Sequence, residues 1–291
     1  MQKNHLLPKH CPACKSTSFI RKGYYFVNIL RTKKRRYKCR DCKQSFSSQS
    51  FHSTYYQKRP DLNHKLFLLL VSGNTQQRCA ELLECSPTTV ARKFQWLAQF
   101  KKSTLTTDAA KTLHIQIDEM ESIEHTKLKP LTIPLCVSDT FEILGLNVGK
   151  IPAKGHLAEL AKIKYGTREN ERENVLRELF LSLKNERKIT PLSITTDAHP
   201  LYPKLVQEYF PQAQHVVIVS RAQKEKKREL IHNKVIKKVF DPMFALNQRC
   251  AKIRSDVRRM TRRSWCTTKK IENLKKHLQL YQIYNNEYAL A

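Results

Sequence analysis

The sequence predicts an α/β chain of several domains, and three observations carry that prediction. Two Cys-x-x-Cys pairs flank a strand-like segment near the N-terminus, two helical patterns meet across a tight turn, and the rest alternates strand patterns with helical ones. A length of 291 residues with 40% hydrophobic composition can bury a real core, in one large domain or in two to three smaller ones.

The charge narrows the partner. Lys and Arg number 54 against 25 Asp and Glu, a formal +29 with a pI near 9.9, which is the footprint of a protein that meets a polyanion. Nucleic acid is the leading partner and a membrane surface the competing one. The longest apolar run, "LFLLLV" at Leu66 to Val71, is far too short to span a bilayer, and neither a basic amphipathic anchor nor a signal peptide is read at the N-terminus. The 9 cysteines are an odd number and four of them form two Cys-x-x-Cys pairs, which with no secretion signal read as metal binding rather than a disulfide framework; the compartment is expected to be reducing, and the expected location is the cytoplasm.

Residues 1–52 are read as a β zinc ribbon. "CPAC" (Cys11, Cys14) and "CRDC" (Cys39, Cys42) offer four thiolates to one tetrahedral ion, and Zn²⁺ is the usual occupant of such a set. Between them "FIRKGYYFVNILRTKKRRYKC" alternates aromatic or aliphatic residues with basic ones, the pattern of a small antiparallel ribbon. A redox pair fits less well, because no thioredoxin-type helix pattern follows either motif; iron is admissible on a thiolate-only site. The run "RTKKRRYKCRDCK" puts basic side chains on the ribbon, as phosphate contacts or as a solvated loop.

After the polar linker "SSQSFHSTYYQKRP", residues 60–104 read as helical. "DLNHKLFLLLVSG" places Leu62, Leu66, Leu69 and Leu70 at helical spacing and stops at Gly73, which suits a C-cap. A helix from about Thr75 to Glu84, a turn at Cys85 and Ser86 and a helix opening with Pro87 follow, with Ala80, Leu83, Val90, Phe94 and Leu97 as their shared core. This is the helix-turn-helix pattern, whose second helix enters the DNA major groove. Thr88, Thr89, Arg92 and Lys93 are expected on its exposed side as base or phosphate contacts. Three-helix packing without DNA is the plainer alternative.

In residues 112–291 two aspartates stand out. "LHIQIDEMESIEH" sets Ile115 and Ile117 on one strand face and Gln116 and Asp118 on the other, with Glu119 next. Strand patterns in "LTIPLCVSD" and "FEILGLNVGKIPA" follow, joined by a hairpin near Asp139 and Thr140; then a charged helix over roughly Thr167 to Asn185, a strand ending at Asp197, and a final strand in "QHVVIVS". Three strands, helix, strand, helix, strand, helix is the ribonuclease-H-like order, a mixed sheet with helices on both sides and its first and fourth strands adjacent. Asp118 and Asp197 would then face each other. Carboxylates so placed repel, and a pair of divalent ions, Mg²⁺ or Mn²⁺, commonly holds them together, which is the chemistry of phosphoryl transfer. The plain alternative for Asp197 is a turn residue ahead of His-Pro.

These motifs, with "SFS" after CRDC, "SGNTQQRCAELLECSPTTVARK", "QIDEME", "ITTDAHPLYP" and the basic tail "RRMTRRSWCTTKK", follow in an order that resembles the DDE transposases of bacterial insertion sequences, most closely the insertion-sequence-one family. The resemblance covers nearly the whole chain. It implies a zinc ribbon, a helix-turn-helix and a ribonuclease-H-like catalytic domain that cuts and joins DNA with two metal ions, Asp118 bridging both and Asp197 holding one. It also implies double-stranded DNA as partner, both terminal inverted repeats and target, with a homo-oligomer formed on that DNA near the bacterial nucleoid. Basic side chains at Arg258, Arg259 and Arg262 would contact DNA.

The C-terminal third departs from the family pattern. One long helix is expected from Pro242, with Asp241 as its cap. The family's third acid, a glutamate, falls on this helix at Asn247, and the nearest carboxylate is Asp241. The third ligand is then an amide oxygen, or Asp241, or is absent. An absent ligand would make the chain a domesticated, catalytically inactive DNA-binding regulator. A zinc-ribbon RNA-binding protein would explain the charge but not the acids.

Overall fold

The computed structural model describes residues 8–27, 32–55, 57–102, 113–219, 241–261 and 266–289. The chain divides into two compact units, Met1–His64 and Lys65–Ala291.

The first unit is a three-stranded antiparallel sheet, β1 (Phe19–Val27), β2 (Thr32–Cys39) and β3 (Ser45–Phe46). Its core is small: Cys11, Tyr37, Cys39 and Phe46 with Phe19 against them, the Tyr37 and Phe46 rings stacked at 5.7 Å. A core of this size supplies little folding energy by itself. Pairing slips between Arg21 and Tyr24, where Gly23 takes the left-handed φ of 75° that a bulge requires.

The second unit begins within the first of three helices, α1 (Leu62–Val71), α2 (Gln76–Leu82) and α3 (Pro87–Lys102). Local chemistry sets the ends of the last two. Thr75 caps α2 by accepting from the Arg78 amide at 3.1 Å, Glu84 makes the turn at a φ of 49°, and Ser86 caps α3 by accepting from the Thr89 amide at 3.2 Å. Leu66, Leu70, Ala80, Leu83, Val90, Phe94 and Leu97 are buried, as the helical spacing predicts.

The second sheet mixes parallel and antiparallel pairing, so the chain is α/β. β4 (Leu113–Ile123), β5 (Pro130–Ser138) and β6 (Ile143–Leu146) run as an antiparallel meander, and β7 (Gly149–Lys150) also pairs with β5. After α4 (Ala158–Tyr165) and α5 (Arg172–Asn185), β8 (Pro191–Asp197) returns parallel to β4, and α6 (Leu201–Tyr209) leads to β9 (Gln214–Ile218), parallel to β8. The order β6-β5-β4-β8-β9 puts β4, the first strand of this sheet, beside β8, the strand that follows α5.

Side-chain alternation along β4 divides the two faces. Ile115 and Ile117 pack with Leu176, Leu179 and Phe180 of α5 and with Tyr202 and Leu205 of α6. Gln116, on the other face, accepts from the Leu246 amide at 2.9 Å and donates to Pro242 O at 3.1 Å, which seats α7 (Phe244–Asp256). α8 (Ile271–Tyr284) adds Gln282, whose amide donates to Ile143 O at 2.8 Å. It also holds α1 and α3: His277 bonds Leu70 O at 2.7 Å and packs on Phe94, and Gln95 donates to Asn273 at 3.0 Å. Burial pushes His277 down to about 4, so the imidazole is neutral at this contact.

Three expectations need correction. The helix expected from Pro242 starts at Phe244 and stops at Asp256, and Val257 is extended. Buried Val257 and Met260 continue the apolar period, which is why the segment reads as one helix. Tertiary contacts end it: Tyr281 donates to Asp256 at 2.9 Å, and Thr261 donates to Arg254 O at 3.2 Å. The charged helix begins at Arg172 rather than near Thr167, because Glu171 accepts from the Lys150 amide at 2.7 Å and Arg168 donates to Ile151 O at 3.2 Å, tying this stretch to the strand before it. Lys93 is only 7% exposed. It falls on the same helical stripe as Val90, Phe94 and Leu97, and that stripe faces the core.

Candidate metal centre and acidic site

The four cysteine sulfurs lie within 4.8 Å of one another, with Cys11 and Cys42 at 3.6 Å and Cys14 and Cys39 at 3.5 Å. A Zn–S bond of about 2.3 Å places the sulfurs of a tetrahedron about 3.8 Å apart, so the set fits zinc. The two knuckles share a conformation. Lys15 and Lys43, each just after the second cysteine of its pair, both stand at a φ of 63°.

Backbone amides aim at the sulfurs. The Cys14 amide is the main cause of a lowered Cys11 thiol. Burial opposes ionisation of Cys39, but the Cys42 and Asp41 amides bring it down to about 7. The Gln44 amide favours the Cys42 thiolate, yet burial and the neighbouring sulfurs push that thiol up to about 12. Four thiolates at this spacing ionise together only around a cation.

In the second unit, Ile117 of β4 pairs with Thr196 of β8, so the next rung sets Asp118 beside Asp197 on strands about 4.8 Å apart. Both carboxylates leave the sheet on the α7 face. The Asp118 carboxylate accepts from the Glu119 amide at 2.6 Å, and Asp197 accepts from the His199 amide at 3.0 Å, which turns the chain into α6. Burial is the largest cause that lifts Asp118 to about 6; the Glu119 amide and Arg254 oppose it, and the charges of Asp197 and Glu119 add to it. The pair therefore suits a divalent cation, which would relieve repulsion and desolvation at once.

Behind the pair, on the α5–α6 face, lies a network that sequence reasoning did not find. Glu119 accepts a hydrogen bond from Thr132 and pairs with Arg172 at 3.1 Å. Arg172 reaches on to His199 Nε2 at 3.3 Å, so one guanidinium spans the residue after Asp118 and the residue two beyond Asp197. The Tyr202 hydroxyl, in a side chain 1% exposed, has no hydrogen-bond partner among the described residues. Burial first, then Glu119, Asp118 and Asp197, push its phenol well above the ordinary range. The only advance signal was that Glu119 directly follows Asp118.

On α7 the two residues proposed for the third position engage each other. Asn247 Nδ2 donates to Asp241 at 2.8 Å, and Asp241 also accepts from the Met243 amide at 3.0 Å, a turn just ahead of the helix. The α7 side chains that reach Asp118 electrostatically are Cys250 and Arg254. Burial pushes the Cys250 thiol up to about 12, so it is neutral, while the positive charge of Arg254 opposes the rise at Asp118. The one carboxylate within α7, Asp256, is held by Tyr281.

Among the expected DNA contacts, Thr88 and Arg92 are exposed one turn apart on α3. Thr89 is half-buried and its hydroxyl bonds Ser86 at 2.9 Å, so it serves the cap. Arg258 is exposed, and Arg259 is half-buried with its guanidinium pKa lowered by burial. Arg262 lies outside the described residues. Among the described residues no helix is long and apolar enough to cross a membrane.

No protein-family model matches this sequence, and no curated protein does. Among solved structures, the chain is similar to one in "CryoEM structure of simian T-cell lymphotropic virus intasome in complex with PP2A regulatory subunit B56 gamma", at 12% identity and a TM-score of 0.25, over 62% of this chain and 62% of that one. A likeness this slight does not say which fold or activity the two share.

Proposed function

We propose that the chain is a DDE-type DNA transposase that binds the ends of an insertion sequence and carries out metal-dependent strand cleavage and strand transfer. The observation that carries this reading is the acid pair: two aspartates on adjacent parallel strands of a mixed sheet, on one face, with Asp118 lifted to about 6. The sheet order and the helices on both faces support a ribonuclease-H-like domain.

Asp118 and Asp197 would hold Mg²⁺ or Mn²⁺, with Asn247 or Asp241 as the third group. When bound, such ions stabilise the attacking and leaving oxygens of an in-line displacement at phosphorus. The chain's own residues do the rest. The Glu119 and His199 amides fix one oxygen of each aspartate, Arg172 fixes the two segments that carry them, and Arg254 offers a cation to a DNA phosphate beside the pair. Thr88 and Arg92 would meet the duplex, with Arg258, Arg259 and Arg262 adding phosphate contacts. The zinc ribbon, a homo-oligomer on DNA and a place at the bacterial nucleoid belong to the same reading.

The test is cleavage of labelled DNA taken from either side of the gene. The parent protein should nick it with Mg²⁺, while Asp118→Asn and Asp197→Asn should still bind it and cut several powers of ten more slowly, as catalytic groups that act as a unit do. Cutting that survives in either variant removes the two-metal reading.

A specific observation favours a second reading, an inactive DNA-binding regulator descended from a transposase. The sole carboxylate of α7 is engaged by Tyr281, and the Asn247 amide is engaged by Asp241. A parent protein that binds but never cuts would establish it.

A further inference from the structure

The ribbon carries an exposed aromatic face that neither the acid pair nor the helix-turn-helix uses. Tyr24 and Phe26 of β1 are 59% and 55% exposed. Strand pairing sets Tyr24 opposite Arg35 and Phe26 opposite Lys33, so each bare ring has a cation across from it. The Arg35 guanidinium lies 4.4 Å from the Tyr24 ring centroid and donates to its hydroxyl. Alternation explains the arrangement: Tyr25, between the two rings, turns to the other face, where its hydroxyl bonds Ser47 at 2.9 Å.

Two large rings more than half bared to water bury little area for so small a unit, and an exposed aromatic patch edged with charge marks a binding surface. Rings interleaved with cations suit a polyanion that also presents flat, stackable faces. Nucleic acid has both, and its strandedness follows from geometry. In a duplex the bases are already stacked about 3.4 Å apart, with their faces closed to a protein ring. Side chains two residues apart on a strand stand about 6.6 Å apart, a spacing that suits bases drawn out of the stack.

We propose that this face binds single-stranded nucleic acid, with Tyr24 and Phe26 stacking on successive bases and Lys33 and Arg35 contacting the phosphates beside those bases. Stacking on aromatic rings accepts any base, so the site is indifferent to sequence. It differs in substrate from the helix-turn-helix, which is suited to duplex, and it does not depend on the acid pair being catalytic.

The experiment uses the full chain, checked for zinc content, with labelled oligo(dT) and a labelled duplex of equal length as separate probes in fluorescence anisotropy. Tyr24→Ala with Phe26→Ala should weaken oligo(dT) binding on the order of a hundredfold, about tenfold per ring, and leave duplex binding unchanged. Tyr24→Phe keeps the ring and should keep the affinity. Lys33→Ala with Arg35→Ala should lower the salt slope for oligo(dT) by about 0.7 for each phosphate that is no longer neutralised. Should the alanine pair shed its zinc, Tyr24→Leu with Phe26→Leu preserves apolar bulk and carries the same expectation.

Oligo(dT) affinity that survives in a zinc-loaded ringless pair overturns the proposal. So does an equal weakening on the duplex probe, which would make the face a duplex contact. Concentration-dependent self-association that the ringless pair abolishes, with oligo(dT) affinity intact, would assign the face to a second copy and also overturn it.

Discussion

Asp118→Asn should make the metal-free protein more stable and at the same time remove its response to Mg²⁺. Burial is the main reason that the Asp118 carboxyl stands at about 6 against an ordinary 3.8. Holding it ionised at neutral pH therefore costs the fold about 2–3 kcal/mol, at about 1.4 kcal/mol per pKa unit. Because the folded pKa lies above the unfolded one, the native state binds more protons between about pH 4 and pH 6, and this group's contribution falls as pH rises through that window, then stays level. Asparagine carries no charge to desolvate and keeps an oxygen for the Glu119 amide that now donates at 2.6 Å. Urea melts of the Lys65–Ala291 unit at several pH values in Mg²⁺-free buffer would show the gain as a parent–variant difference that opens across the window. Adding Mg²⁺ at a hundred times its dissociation constant should stabilise the parent by about 2.7 kcal/mol and the variant far less. A variant no more stable than the parent at neutral pH, or Mg²⁺ stabilising both alike, would refute the reasoning.

Three further outcomes are expected. Cys39→Ser should release the zinc and unfold the Met1–His64 unit while the far-UV signal of the helices persists, since four sulfurs within 4.8 Å are that unit's main tie; a fully folded ribbon without metal counts against the site. Arg92→Ala should weaken duplex binding and reduce its salt slope by about 0.9 for each phosphate that is no longer neutralised, and Lys93→Ala should act on thermal stability instead, because Lys93 is buried; the reverse pattern would put the wrong face of α3 on DNA. Asp241→Ala should cost about 1 kcal/mol of stability if that residue only makes the turn into α7, whereas Asn247→Glu should preserve or raise Mg²⁺-dependent cutting if position 247 completes the metal site. Abolition of all cutting in Asp241→Ala at unchanged melting would instead make Asp241 the ligand.

What could be read from the chain was whatever local chemistry decides. The Cys-x-x-Cys pairs, the turn at Cys85 and Ser86, the Leu66–Leu70 spacing and the alternation around Asp118 each depend on neighbours within a few residues. The run of strand and helix patterns follows the ribonuclease-H-like order, which sets the strands of Asp118 and Asp197 side by side, as the pairing of β4 with β8 does.

Other features rest on partners far along the chain. Lys93 has the composition of a surface residue and the position of a core one, and only the packing of α3 decides between them. The end of α7 depends on Tyr281, twenty-five residues beyond Asp256, and the apolar period runs on past it unbroken. The ion pair of Glu119 with Arg172, the reach of Arg172 to His199 and the burial of the Tyr202 hydroxyl join three segments that no spacing rule connects. Residue order alone set where the strand and helix patterns fall and which strands bear Asp118 and Asp197, because backbone periodicity acts over a few residues. Packing settled which charges are buried, which are paired, and which α7 side chains meet Asp118, because desolvation and Coulomb energy depend on what lies within a few ångströms in space, whatever its distance along the chain.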